Sequence, residues 1–328
     1  MKTFPLSDQI VLPLAPAIEG TIADYLQSIA QELYVSLSTN CDSANTGFPQ
    51  DLFWHEDLGR NGVKSDRFTA SIGCVPTLQY QYVSPIAHRL ATKLGLTPLE
   101  ICQRLQPLSH SVAVNPRDRL DLYCWYNDSG YIYFQLAPET IAIWLNYIHD
   151  LPLDIQLNQD LSPASVNIAL YAHDRCCSLL ALAQTEKLVT ISDNWQIERS
   201  DKPINARSCP ENHFTAALAS IFEEPAEQRL IHTLMEVLDG IYDRRSQLQP
   251  VRRVAASGRA INWAKLTIDL AESWLEFHRH CRIFGDLTRR NPRLAIARCE
   301  LTAISRRYLQ VLLEHYLGVR LIDNRSNI

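Results

Sequence analysis

The chain has 328 residues, of which 46% are hydrophobic and 20% charged, with a net charge of −5. That composition is ordinary for a globular protein and leaves room for two separate cores. It excludes a membrane helix, because no apolar run approaches the roughly 20 residues such a span needs. Nine cysteines, an odd number without any C-x-x-C, argue for reduced thiols rather than a disulfide framework.

Residues 1–17 read as an irregular arm, with one lysine and three prolines around a short apolar patch. That is a poor signal peptide, so the expected location is cytoplasmic. A helix is predicted from Ile18 to Leu37, with Ile22, Leu26, Ile29, Leu33 and Leu37 on one face. Residues 38–64 read as loop, and residues 68–75 as a strand. Ser84-Pro85 signals a helix start and Gly95 its end, and Thr97-Pro98 starts a second short helix. Strands around 120–126 and 131–136 flank Asn127-Asp128-Ser129-Gly130, a good hairpin turn. Pro138 opens a helix to about His149. This order describes a small α+β domain over residues 18–150.

After a short link, residues 163–328 read as an all-α helical bundle, with helices at 164–183, 213–222, 225–246, 262–284 and 291–319. In the fourth, Leu270, Trp274, Phe277, Cys281 and Phe284 form one stripe, which predicts a buried Trp274. The expected fold class is therefore α+β, an α+β domain followed by a helical bundle.

Charge is unevenly spread. Residues 1–160 hold 9 basic and 17 acidic side chains, or −8. Residues 244–328 hold 16 basic, 15 of them arginine, and 7 acidic, or +9. Guanidinium forks match phosphate oxygens. An arginine-rich bundle is a footprint of RNA binding.

The order of residues carries a resemblance. Tyr171-Ala172-His173-Asp174-Arg175-Cys176-Cys177-Ser178-Leu179-Leu180 is similar to the first helix of the DALR-type anticodon-binding domain of arginyl-tRNA synthetases, whose usual form is Tyr-Ala-His-Ala-Arg-x-x-Ser-x-Leu. Residues 266–284 resemble that domain's central helix, and residues 291–319, closing on Leu317-Gly318-Val319, its last helix. Pro85–Leu94, Pro98–Cys102 and Gly130-Tyr131-Ile132-Tyr133-Phe134-Gln135-Leu136 resemble the N-terminal additional domain of the same enzymes. Where the family carries the Asn that helps read a D-loop nucleotide, this chain has Tyr133.

The family's catalytic domain would stand between these two parts. Here only Asp150–Leu161 separates them, and twelve residues cannot make a nucleotide-binding sheet. The His-x-Gly-His loop, the Lys-Met-Ser-Lys loop, phosphate-binding glycine spacings and the G-x-S-x-G elbow are all missing from the sequence. His278, His280 and Cys281 do not share one helical face and have no second cluster to complete a metal site. The expectation is thus a non-catalytic protein, with no cofactor and no metal.

The resemblance implies a tRNA ligand, with an arginine tRNA as the candidate. It implies contacts from Tyr171, His173 and Arg175 on the first bundle helix, His278 and Arg282 on the central one, Arg306 and Arg307 on the last, and Tyr131 and Tyr133 in the N-terminal domain. The alternative is an adaptor that kept the scaffold, lost RNA and docks a protein partner. Neither DNA nor a membrane is an expected partner.

Overall fold

A computed structural model of the chain describes residues 3–13, 15, 18–38, 81–106, 119–151, 166–192, 195–198, 222–242 and 262–321. The elements in order are β1 (Thr3–Pro13), α1 (Ile18–Ser38), β2 (Gln81–Ser84), α2 (Ile86–Leu94), α3 (Pro98–Leu105), β3 (Arg119–Asn127), β4 (Ile132–Leu136), α4 (Pro138–Asp150), α5 (Asn167–Thr185), α6 (Pro225–Tyr242), α7 (Trp263–His280), α8 (Asp286–Arg290) and α9 (Pro292–Val311). A π-helical turn, Leu312–Tyr316, closes the series. The class is α+β, mostly helical with a small antiparallel sheet. The chain divides into two compact units, Met1–Ile141 with Ile241–Ala260, and Ala142–Gly240 with Ile261–Ile328. The division falls inside α4 rather than after it. The strand expected at 68–75 lies outside the described residues, as do residues 213–221 of the helix expected at 213–222.

The first unit is built on an antiparallel sheet in the order β1-β3-β4-β2. The β3–β4 hairpin forms where the turn residues demand it. Asn127 Oδ1 accepts from the amides of Ser129 and Tyr131, both at 3.0 Å, and Gly130 takes a φ of +80°. A side chain at Gly130 would collide with Pro98 on α3. Thr97 caps α3, as its sequence predicts, and Glu100 closes a reciprocal box with it. At α2 the detail differs: Pro85 itself is the N-cap, and Ser84 Oγ accepts from the Ile86 amide at 3.3 Å.

The N-terminal arm is corrected. Residues 3–13 are a strand, paired with β3, in which Ile10 and Leu12 are buried. Its prolines are tolerated because it is an edge strand, with register shifts between Pro5 and Ser7 and between Ser7 and Ile10. Inward residues of β3 and β4, Leu122, Cys124, Ile132, Phe134 and Leu136, are buried together with Leu26, Ile29, Leu90 and Ile101 of the helices. Tyr25 of α1 meets the Phe134 ring edge-on at 6.4 Å.

The second unit is helical. Asn262 caps α7 by accepting from the Lys265 amide, and Asn291 caps α9 from the Leu294 amide with Pro292 in the first turn. Leu270, Trp274 and Phe277 of the apolar stripe are fully buried. The stripe's last two residues are not helical. Cys281 is extended, and Gly285 at φ +82° turns the chain into α8. Cys281 is still buried, so the loop carries the stripe into the core after the helix has ended. The last helix is also shorter than expected. It ends at Val311, loosens into the π turn, where Tyr316 meets Trp263 at 3.9 Å, and closes on Gly318 at φ +64°.

Candidate nucleic-acid interface

The α5–α7 face is the natural starting point. Tyr171 and Arg175 stand one turn apart on α5, and Tyr171 is 60% exposed. Arg175 Nε donates to His278 Nε2 at 3.4 Å, and the His278 ring stacks on Trp274 with centroids 5.4 Å apart. With Nε2 accepting, the neutral His278 ring carries its proton on Nδ1. Burial, and then the neighbouring Arg175 charge, hold His278 below the ordinary histidine range. Sequence reasoning named Tyr171, Arg175 and His278, and the fold brings Arg175 and His278 together.

His173 is different. It is buried, with Nδ1 3.5 Å from Asp174 Oδ1. Burial and Arg306 depress its basicity, and Asp174 opposes them. Its position is inside the bundle.

Arg306 and Arg307 of α9, implied as RNA contacts by the resemblance, are also drawn inward. Arg306 is 6% exposed, its Nε donates to Cys177 Sγ at 3.4 Å, and its guanidinium lies 5.1 Å over the Trp195 ring. Arg307 donates to the carbonyls of Ile148 (3.3 Å), His149 (2.7 Å) and Leu151, so it satisfies the orphan carbonyls at the end of α4. Tyr308 Oη donates to the Ile148 carbonyl as well. A crevice beside them, lined by His149, Trp195, Gln196, Ala303, Ile304 and Arg307, is about 10 Å³, room for one water at most.

A buried ion pair went unseen in the sequence. Arg298 Nε meets Glu227 Oε1 at 2.6 Å, and Arg298 also donates to the Arg282 carbonyl at 2.6 Å. The Glu224 amide donates to the second carboxylate oxygen of Glu227. Burial pushes the Glu227 carboxyl up, and Arg298 pulls it back. The partners are 71 residues apart, beyond the reach of any local signal.

Among the described residues, exposed arginines cluster on residues 278–293. Arg279, Arg282, Arg289, Arg290 and Arg293 are all exposed there, with Asp286 the single carboxylate. Only Arg282 of these five was singled out from the sequence. Arg279 stands in the last turn of α7, where a cation faces the negative end of the helix dipole.

In the first unit, Tyr131 lies 4.6 Å from the His88 ring. Tyr133 stacks on Trp125 at 5.6 Å, its ring 8° from parallel, and its Oη accepts from Asn127 Nδ2 at 2.8 Å. Both tyrosines are half-buried.

Among the described residues, no group of three or more His, Cys, Asp or Glu could hold a metal ion, and no helix is long and apolar enough to cross a membrane. The six described cysteines are free thiols, and all but Cys177 are buried. Burial pushes Cys102, Cys281 and Cys299 up to about 12, which keeps them protonated and inert. No family model matches the chain, and neither a curated protein nor a solved structure matches it.

Proposed function

We propose that this chain is a non-catalytic, cytoplasmic RNA-binding protein, similar in plan to an arginyl-tRNA synthetase without its catalytic domain, whose ligand is a tRNA. The supporting observation is the run of five exposed arginines on residues 278–293 with a single carboxylate among them. Through the Arg175–His278 contact that run adjoins the face of α5 that presents Tyr171. Arginines there would grip phosphates, while Tyr171 and the outer face of His278 would stack on unpaired bases. The DALR-type identity of the bundle belongs to this proposal and rests on the sequence resemblance.

The test is fluorescence anisotropy of a labelled arginine tRNA transcript over a range of salt. Each phosphate contact contributes a slope of about 0.7–0.9 to the dependence of log K on log salt. Replacing Arg279, Arg282, Arg289 and Arg290 together with Ala is expected to flatten that slope by about three units and to weaken binding. No binding, or an affinity indifferent to salt, overturns the reading. The second reading, a protein-docking adaptor, is favoured by one observation, the exposure of Tyr123 and Val83 on strands β3 and β2 of the sheet.

A further inference from the structure

Three arginines of α9 are drawn into the helical unit, and two of them end on oxygen. Arg298 meets Glu227, and Arg307 meets the carbonyls of Ile148, His149 and Leu151. Arg306 is the exception. It is 6% exposed, and among the described residues it forms no ion pair with a carboxylate. Its hydrogen bond runs from Nε to Cys177 Sγ at 3.4 Å, with the guanidinium over the Trp195 ring. A thiol sulfur is a weak acceptor, and a guanidinium taken out of water needs a counter-charge. A thiolate supplies one.

Cys177 stands apart from the other thiols in two further ways. Of the six described cysteines it is the one that is not buried, so a reagent can reach it. Within the Cys176-Cys177 pair it carries charge first: burial raises the Cys176 thiol well above its ordinary range, and the negative charge of Cys177 pushes it further up. A third group completes the cluster. His173 lies one turn before Cys177 on the same face of α5. It is 5% exposed, neither of its ring nitrogens makes a hydrogen bond, and the Arg306 charge acts on it. A neutral imidazole there has an unused lone pair.

We propose that Cys177 is a site of oxidation by hydroperoxides, its sulfur held as a thiolate by Arg306. The thiolate attacks the terminal oxygen of the hydroperoxide. An S–O bond forms and the O–O bond breaks, and its electron pair leaves with the other oxygen as an alkoxide, which water protonates, or as hydroxide when the oxidant is hydrogen peroxide. The sulfur is oxidised to a sulfenic acid, and the hydroperoxide is reduced to an alcohol or water. Arg306 offers donors to the new oxygen, and His173 offers an acceptor for its hydrogen. Low basicity, solvent access and neighbouring positive charge are the conditions that select one thiol for this chemistry. The inference is independent of RNA binding by the helical unit.

The experiment follows Cys177 in the full chain by peptide mass spectrometry. An ordinary thiol, with a pKa of about 8.5, is about 3% thiolate at about pH 7 and about 76% at about pH 9, so alkylation by uncharged iodoacetamide speeds up about 25-fold between them. Cys177 is expected to speed up by less than about threefold. Arg306→Met keeps an apolar stem and loses the charge, and is expected to restore a ratio of about 25-fold or more. Arg306→Lys keeps a cation and is expected to fall between the two. A wild-type ratio near the ordinary one, or a ratio that Arg306→Met leaves unchanged, overturns the proposal. Should Arg306→Met fail to fold, the wild-type chain decides. Brief exposure to hydrogen peroxide followed by dimedone is expected to place the dimedone adduct on Cys177 and none on Cys176. A Cys177 that peroxide leaves unreactive to dimedone overturns the proposal as well.

Discussion

The body of helix α9, from Arg298 on, and the stretch that runs into its first turn, residues 278–293, are both rich in arginine and use it in opposite ways. In α9, Arg298 neutralises a buried carboxylate, Arg306 lies over Trp195 against Cys177, and Arg307 caps the end of α4. In residues 278–293, Arg279, Arg282, Arg289, Arg290 and Arg293 are exposed. A guanidinium on a long apolar stem can reach into a core and satisfy fixed acceptors there, or stay in water. The net charge of a segment therefore measures neither its surface potential nor its binding capacity until the buried charges are set aside.

The comparison can be broken at the core that holds α9 in place. Trp274 is fully buried in α7. Trp274→Ala removes an indole and leaves a cavity, a loss of about 3–5 kcal/mol, so the helical unit is expected to melt early or fail to fold. A melt like wild type would show that α7 does not organise this core.

Arg298→Met is expected to be nearly as severe, about 3–5 kcal/mol, because it leaves the Glu227 carboxylate buried without its partner. Replacing both, as Arg298→Met with Glu227→Leu, should recover much of that loss in denaturant unfolding. A mild single mutant would mean that the pair is not desolvated in solution.

Acid offers a third handle. Burial, and then Arg229, lower His232 to about 4. A histidine whose folded pKa lies below its unfolded value of about 6.5 favours folding while both states are neutral, above pH 6.5. That contribution is lost as the pH falls from 6.5 to 4, by up to about 3 kcal/mol. His173 is shifted in the same direction. Unfolding measured across that window should show the slope, and His232→Gln should reduce it.

Arg306→Ala with Arg307→Ala sharpens the contrast directly. The sequence suggested phosphate ligands, but their hydrogen bonds are internal. The pair is expected to lower stability by about 1–3 kcal/mol, with the salt slope of tRNA binding unchanged among molecules that remain folded. A flattened slope in a fully stable variant would return these two to the interface. Least disruptive to the fold is the fourfold alanine variant of residues 278–293, expected within about 0.5 kcal/mol of wild type in stability, with its effect confined to RNA.

Where sequence and structure agree, the signal was local. The Thr97 cap, the helix end at Gly95, the Asn127–Gly130 turn and the buried Leu270–Trp274–Phe277 stripe are each decided by residues within a few positions of one another. The misses share a cause as well. Residues 3–13 looked irregular because prolines outweighed the Ile10–Leu12 alternation, and only pairing with β3 on a sheet edge makes the strand. The helix at 263–280 looked longer because Cys281 and Phe284 continue its period, although the chain has already turned toward Gly285.

The sequence by itself determined the α+β class, the hairpin, the helix starts and the positive charge of the C-terminal region, because propensity, periodicity and capping act within a turn or two. Tertiary structure alone decided which arginines face water. Arg298 finds Glu227 across 71 residues, Arg307 reaches carbonyls more than 150 residues away, and Arg175 meets His278 across 103. A charge is placed by the acceptor that desolvates it, and that acceptor comes from a distant stretch of chain that only folding brings near.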